Sequence, residues 1–374
     1  MSKIYVGMDV HKDSVYVAVL PEEGGTPQTR RLPNEAGVLR RFFARLGRRG
    51  AVHACYEASG AGYVLQRALT GWGHQCEVIA SSLIPTRPGD RRKHDRKDAV
   101  QLVRWYRAGE LTPIRIPTAS EERVRDLVRC RETLQREILQ SRHYVLKFLA
   151  RRDLVYRAGT HWTQRHWQWL HACQADPRVA AEDQLVLGEY LGLLAYKLQR
   201  RGELDRRIAA LARTSAYAVT VGRMRCYRGL DVHGAMVLAT ELGDLRRFGR
   251  PSELMAYVGL VPREHSSGEV QRHGAITKAG NRRCRHILVQ AAWHYRHPPH
   301  VSAGLRQRQQ GQPPAVVVHS RKAQDRLHAL YRRLGSRKNS RIAVIAVARE
   351  LVGFLWASLQ DVAPAEGAPA APAV

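Results

Sequence analysis

Apolar and polar residues alternate from the first residues onward. In KIYVGMDVHKDSVYVAVL, two period-two runs, Ile4–Val10 and Val15–Leu20, flank a polar turn, and this predicts a β-hairpin. A third short run, Thr29–Leu32, extends it. The period then changes. NEAGVLRRFFARLG (34–47) spaces Val38, Phe42, Phe43 and Leu46 at helical intervals behind an Asn start. VHACYEAS (52–59) reads as a strand, GYVLQRALTGWG (62–73) as a helix and QCEVIA (75–80) as a strand. A Pro-containing basic loop follows, and then a helix from about Asp95 to Ala108. Strands first, then helix and strand in alternation, predict a mixed sheet with helices against it. Pro113 and Pro117 close this α/β domain, over 1–118.

Beyond it the pattern is helical. Over 121–152 a heptad frame starting at Val124 puts Val124, Leu127, Arg131, Leu134, Ile138, Ser141, Val145 and Phe148 at the seam positions. A second such stretch, 184–213, carries Leu187, Leu191, Leu194, Leu198, Ile208 and Leu211. These two pair as an antiparallel hairpin, join chains, or pack as ordinary bundle helices within a coiled-coil-like middle region, 119–213. HWTQRHWQWL, between them, holds three tryptophans, read as core or interface packing. His161, His166 and His171 are five apart, share no helix face and make no metal site. A mainly α C-terminal domain spans 214–361. In it Gly229 and Gly234 precede an apolar helix in a helix-hairpin-helix-like pattern, one that offers backbone N–H groups to phosphate. The tail, 362–374, is low in complexity and reads as disordered.

Charge narrows the function. The 374 residues carry a formal net charge of +28, with a pI of about 10.7. That excess implies a polyanionic partner. No apolar run approaches the roughly 20 residues needed to span a bilayer, and the N-terminus has no signal pattern. Nucleic acid in the cytoplasm is the expectation. The six cysteines are scattered without a C-x-x-C pair, so they read as buried or free thiols.

Four acids stand out against this background. Asp9 lies within the first strand, where a charge needs a partner. Glu57 is near the end of a later strand. Asp95 and Asp98 fall at i and i+3, on one helix face. Together they offer hard oxygen donors that suit Mg²⁺ ions flanking a scissile phosphate. Residues 85–107 set eight Arg and Lys, among them Arg91, Arg92, Lys93, Arg96 and Lys97, against three Asp, enough to hold a nucleic-acid backbone beside the metals. The bland alternative is that Asp95 and Asp98 pair with nearby arginines and that Glu57 caps the helix after it. The order strand Asp, hairpin, strand Glu, helical Asp-x-x-Asp is similar to the ribonuclease-H-type fold of Holliday-junction resolvases. Further on, EHSSGEVQRHGAITKAGN (264–281) brings Ser266 or Ser267 near Arg272, Lys278, Arg282 and Arg283 in sequence, a candidate nucleophile with phosphate-binding cations; the same Ser-Ser-Gly is also an ordinary turn.

GMDVHKDS, YEASGAGY, KHDRKDA, LATELGDLRRF, LMAYVGLVPREHSSG and GAITKAGNRR, in that order, resemble the successive motifs of the insertion-sequence one-ten family of bacterial transposases. The matching blocks cover about residues 3–110 and 216–297. The resemblance implies a DEDD tetrad at Asp9, Glu57, Asp95 and Asp98 and a catalytic serine at Ser267, with Ser266 second. It implies a DNA recombinase that is Mg²⁺-dependent, guided to target and donor DNA by a structured bridge RNA. It also implies a homo-oligomer, a dimer or tetramer, acting at the bacterial nucleoid. In one departure, this chain has Gly229-Leu230-Asp231 where the family often has Gly-Ile-Gly. Two other classes fit the residues alone: a metal-dependent junction nuclease working by hydrolysis, and a non-catalytic nucleic-acid binder.

Overall fold

Period-two alternation builds a five-stranded sheet, with β1 (Lys3–Val10), β2 (Ser14–Pro21), β3 (Gln28–Pro33), β4 (Ala51–Glu57) and β5 (Gln75–Ile79) in the spatial order β3-β2-β1-β4-β5. The β1–β2–β3 part is antiparallel; β4 pairs in parallel with β1 and with β5. The computed structural model describes residues 2–85, 95–264 and 273–362, and divides into two units, one ending at Ile116 and one starting at Pro117. The expected disordered tail lies outside the described residues but for Val362.

Alternation decides what each sheet face buries. Ile4, Val6 and Met8 of β1 and Val52, Ala54 and Tyr56 of β4 pack with Leu39, Phe43 and Leu46 of α1 (Ala36–Gly47) and Leu69 of α2 (Val64–Gly71). On the opposite face, Ala18 and Leu20 of β2 meet Ala99 and Val103 of α3 (Asp95–Ala108), while Cys55 and Ile79 meet Leu102. One residue makes the second contact close. A Cβ on Gly7 would stand 2.5 Å from the Ala99 carbonyl oxygen and 2.6 Å from the Val103 nitrogen. The Asn34 start of the first helix is displaced to Ala36, with Glu35 as N-cap. The Asn34 side chain has another use: its amide donates to the His11 and Lys12 carbonyls at 2.8 and 3.3 Å and ties down the β1–β2 turn.

The second unit is mostly helical: α4 (Ala119–Ala150), α5 (Gln164–Ala175), α6 (Ala181–Leu211), α7 (Ala218–Met224), α8 (Val232–Leu242), α9 (Pro251–Tyr257), the short hairpin β6 (Pro262–Glu264) and β7 (His273–Ile276), α10 (Arg282–Ala292), α11 (Ala303–Gln309), α12 (Pro314–Gly335) and α13 (Ser340–Ala357). A Thr118/Glu121 capping box starts α4. Of the three arrangements open to the heptad stretches, the chain adopts the antiparallel hairpin. Arg131 meets Asp205, Gln135 meets Arg201, Ser141 meets Lys197 and Arg152 meets Asp183, so α6 numbers fall as α4 numbers rise. The two polar seam positions, Arg131 and Ser141, are therefore both partnered across the hairpin. Trp162, Trp167 and Trp169 pack against the apolar core of this hairpin, as the core reading expected. His166 is fully buried there among Tyr156, His161, Trp162 and Trp169, and burial followed by His161 lowers its pKa to about 4. The other core is centred on α8, whose residues from Gly234 to Leu242 are all buried. Five cysteines are buried, Cys130 is exposed, and all six are free. No described helix is long and apolar enough to cross a membrane.

Gly7→Ala is expected to cost about 1–3 kcal/mol, because the backbone atoms it strikes cannot swing aside. Urea unfolding measures this as a lowered midpoint. A wild-type midpoint would contradict so close a seat for α3.

Candidate active site

Asp9 and Glu57 sit at the same level of the sheet. Met8 pairs with Tyr56 in the parallel β1–β4 ladder, so one further step brings Asp9 beside Glu57 at the carboxyl ends of both strands, on backbones about 4.8 Å apart. Met8 and Tyr56 are buried on the α1/α2 side. Alternation therefore turns Asp9 and Glu57 to the α3 side. There α3 crosses β1 with Ala99 against Gly7, two residues before Asp9. Asp98 directly precedes that contact, and Asp95 opens the helix one turn earlier. Strand ends and helix start thus meet on one face of the sheet.

The side chains differ in exposure. The Asp9 side chain is 26% exposed and Asp98 half-buried, while Glu57 is open to solvent and forms no cap on α2, whose N-cap is Tyr63. The Asp9 carboxylate Oδ2 is 3.1 Å from His11 Nε2. His11 was missed in the sequence; its signal is its place two residues beyond Asp9, on the same side of an extended chain. Among the described residues no three His, Cys, Asp or Glu side chains cluster to hold a metal ion. As a donor set, carboxylate oxygens fit Mg²⁺. Of the expected backbone-binding cations, Lys97 is exposed on α3, Arg96 belongs to the same helix, and Arg91, Arg92 and Lys93 lie outside the described residues.

Ser266, Ser267 and Arg272 also lie outside the described residues, within the segment that links β6 to β7. The base of this hairpin is tightly interlocked. Gly259 and Gly280 both have positive φ, and a Cβ on either would fall within 2.1 Å of a carbonyl oxygen of the opposite strand's extension, Ala279 or Tyr257. Arg285 ties the same two segments by donating to the Val258 and Ala279 carbonyls at 2.8 and 3.0 Å. Lys278 and Arg282 are exposed next to this base. Arg283 instead pairs with Glu132 and approaches Glu241 at 3.8 Å.

Glu241 is the second residue the sequence reading passed over, although an acid in the apolar run MVLATEL is its own signal of a buried partner. Its side chain is 2% exposed. Arg129 of α4 donates to it in a fork at 2.7 and 2.9 Å, and Asn281 Nδ2 at 2.7 Å. Asn281 is the N-cap of α10, accepting from Arg283 and Cys284 N–H groups. One carboxylate thus connects α4, α8 and the chain leaving the serine hairpin. Burial raises the Glu241 pKa, but the Arg129 and Asn281 bonds outweigh it and the net value lies below the ordinary glutamate. At the α7–α8 turn, the Asp231 carboxylate accepts from Gly234 N–H at 2.7 Å. That donor is therefore not offered to phosphate, contrary to the helix-hairpin-helix expectation.

A family model described as "Transposase IS116/IS110/IS902 family" matches residues 223–304, and a DEDD-type transposase model of IS110 matches residues 6–151. The putative transposase y4qE of Sinorhizobium fredii (strain NBRC 101917 / NGR234) is 38% identical over 362 residues, covering 96% of this chain and 88% of the relative. The chain belongs to the IS116/IS110/IS902 family of transposases. The transposase for insertion sequence element IS1533 of Leptospira borgpetersenii is 30% identical over 344 residues, with 89% and 96% of the two chains covered. This transposase is accordingly an enzyme that cuts and rejoins DNA, which sets aside the non-catalytic binder. The two family matches hold different pieces: the sheet, α3 and α4 in one, and α8, the serine hairpin and α10 in the other.

Glu241→Ala is expected to cost about 3 kcal/mol, the low end for a broken buried pair because Arg129 keeps some solvent. Since the folded pKa is depressed, the wild-type pair stabilises fully above about 4.5, the ordinary glutamate value, and loses that contribution as pH falls below it. Unfolding followed from pH 7 down through pH 4 should show the gap between wild type and variant narrowing in acid. A constant gap between them would contradict the assignment.

Proposed function

We propose that this transposase has a ribonuclease-H-like first domain in which Asp9, Glu57, Asp95 and Asp98 hold Mg²⁺, and that a serine of the β6–β7 link, Ser267 or else Ser266, attacks DNA. The observation that carries this reading is the convergence of the Asp9 and Glu57 strand ends with the start of α3 on one sheet face. Mixed order β3-β2-β1-β4-β5, with an antiparallel hairpin leading into parallel strands, supports the fold part of it. The resemblance of the motif blocks supports the serine, the bridge RNA and a homo-oligomer in the bacterial cytoplasm.

Mg²⁺ bound by the carboxylates would polarise the scissile phosphate and stabilise the leaving oxygen. The chain's own groups do the rest. Asp9 takes its orientation from the strand and from His11. Exposed Lys97, Lys278 and Arg282 neutralise backbone phosphates. The serine Oγ gives up its proton and forms an O–P bond; a DNA P–O bond breaks, and the departing strand oxygen takes up a proton. Because the phosphoserine keeps the bond energy, the reverse attack by a DNA hydroxyl reseals a strand with no nucleotide cofactor. Hydrolysis by water would leave a nick.

Asp9→Asn is expected to lower strand joining by at least about a hundredfold, the scale of removing a principal transition-state stabiliser, while DNA binding in a gel-shift assay persists. Ser267→Ala is expected to abolish the covalent protein–DNA adduct trapped on nicked substrate. An adduct that persists in both Ser267→Ala and Ser266→Ala chains would refute the serine role, and joining at the wild-type rate by Asp9→Asn would refute the carboxylate role.

A further inference from the structure

At the far end of α10 from the serine hairpin lies a cavity of about 450 Å³, lined by Arg228, Gly229, Asp231, His294, His300, Ser302, Leu305 and Arg308. Its size is within the range of about 300–1,000 Å³ typical of small-molecule sites. α10 has 11 residues, so this cavity and the hairpin base are separated by about 16 Å of helix.

Its lining is cationic beyond structural need. Arg228 Nη1 donates to the His297 and Pro298 carbonyls at 3.4 and 2.8 Å, and Arg308 Nη1 to the Leu230 carbonyl at 2.7 Å. Each guanidinium has five N–H donors, and these bonds draw on one nitrogen of each. The Arg308 Nε is buried and has no hydrogen-bond partner. Asp231 is the single acid in the lining, and its Oδ1 is engaged by Gly234. The cations also crowd one another. Burial and then Arg228, His297, Arg296 and Arg308 push the His294 imidazole below its ordinary pKa. Burial and then Arg225 push Arg308 down as well. Such mutual repulsion in a partly desolvated cavity is relieved by an anion.

We propose that this cavity is a phosphate site, sized for one nucleotide and built from residues other than the carboxylates and the serines. Arg308 and Arg228 supply the charge-assisted donors. Ser302, His294 and His300 supply further polar contacts from the same lining. The shared chemistry is a phosphate on a nucleotide, whether free or in a strand.

Isothermal titration of the full-length chain, without divalent cation, with inorganic phosphate and with a deoxynucleoside monophosphate tests this directly. The expected result is binding of the monophosphate, weakened at least about tenfold in Arg308→Gln and in Ser302→Asp. The second variant guards against misfolding, because aspartate serves as well as serine at the N-cap that Ser302 gives α11, yet adds negative charge to the cavity. Arg337→Gln, an exposed cation elsewhere, is expected to leave binding unchanged. A short single strand that displaces the monophosphate identifies the source as a strand; failure to displace it identifies a free nucleotide. No heat at millimolar monophosphate, or equal affinity in Ser302→Asp, would overturn the proposal. Repeating the titration with an Asp9→Asn chain separates its fate from that of the catalytic reading.

Discussion

Gly7 has no side chain, and the backbone of α3 fills the space where one would be. The arrangement around the strand ends follows from that contact. Seating Ala99 on Gly7 fixes the height of α3 over the sheet, and Val103 and Leu102 then extend the contact over β2 and β4. Asp98 and Asp95 are carried to the carboxyl edge because they precede Ala99, just as Asp9 is carried there because it follows Gly7. Opposite packing on the far face, with Phe43 and Leu69 against Val6 and Tyr56, keeps the strands from rotating and so keeps Asp9 and Glu57 on the α3 side. The apolar contacts hold the geometry, and the acids occupy its open edge.

The second unit solves a different problem. A helix buried on all sides cannot carry a lone acid, yet α8 carries Glu241 in its last turn. Arg129 and Asn281 make the burial tolerable, and in doing so they join the long α4 to the chain leaving the serine hairpin. Gly259 against Ala279 and Gly280 against Tyr257 join the two sides of the hairpin base. The two points from which the β6–β7 link departs are thus held together by backbone contact and by Arg285. That suits the proposed delivery of a serine hydroxyl to an external phosphate.

Much of this was legible in the residues. Alternation in KIYVGMDV and SVYVAVL, and the heptad stretches, were strong because each element buries one face. The placement of Asp9 and Glu57 on strands and of Asp95 and Asp98 on a helix was legible from the same patterns. Three things were hidden. Asn34 looked like a helix start, but its amide is spent on the β1–β2 turn, a tertiary contact no local pattern reveals. Gly234 looked like a phosphate donor, but Asp231 three residues earlier takes its N–H, as the departure from Gly-Ile-Gly allowed one to suspect. Arg283 looked like a surface cation, but Glu132 and Glu241, distant in sequence, draw it inward. Asn34 and Arg283 are claimed by partners that only the fold brings near, and the Gly234 N–H by the cap of its own helix.

The central claim is that strand-end and helix-start carboxylates form one divalent-cation site. Crystals of the full-length chain soaked in Mn²⁺, with data collected at the manganese edge, address it without reference to any reaction. The account predicts anomalous density between Asp9, Glu57 and the first turn of α3. Density only elsewhere, or none at a concentration that saturates other carboxylate sites, would contradict it.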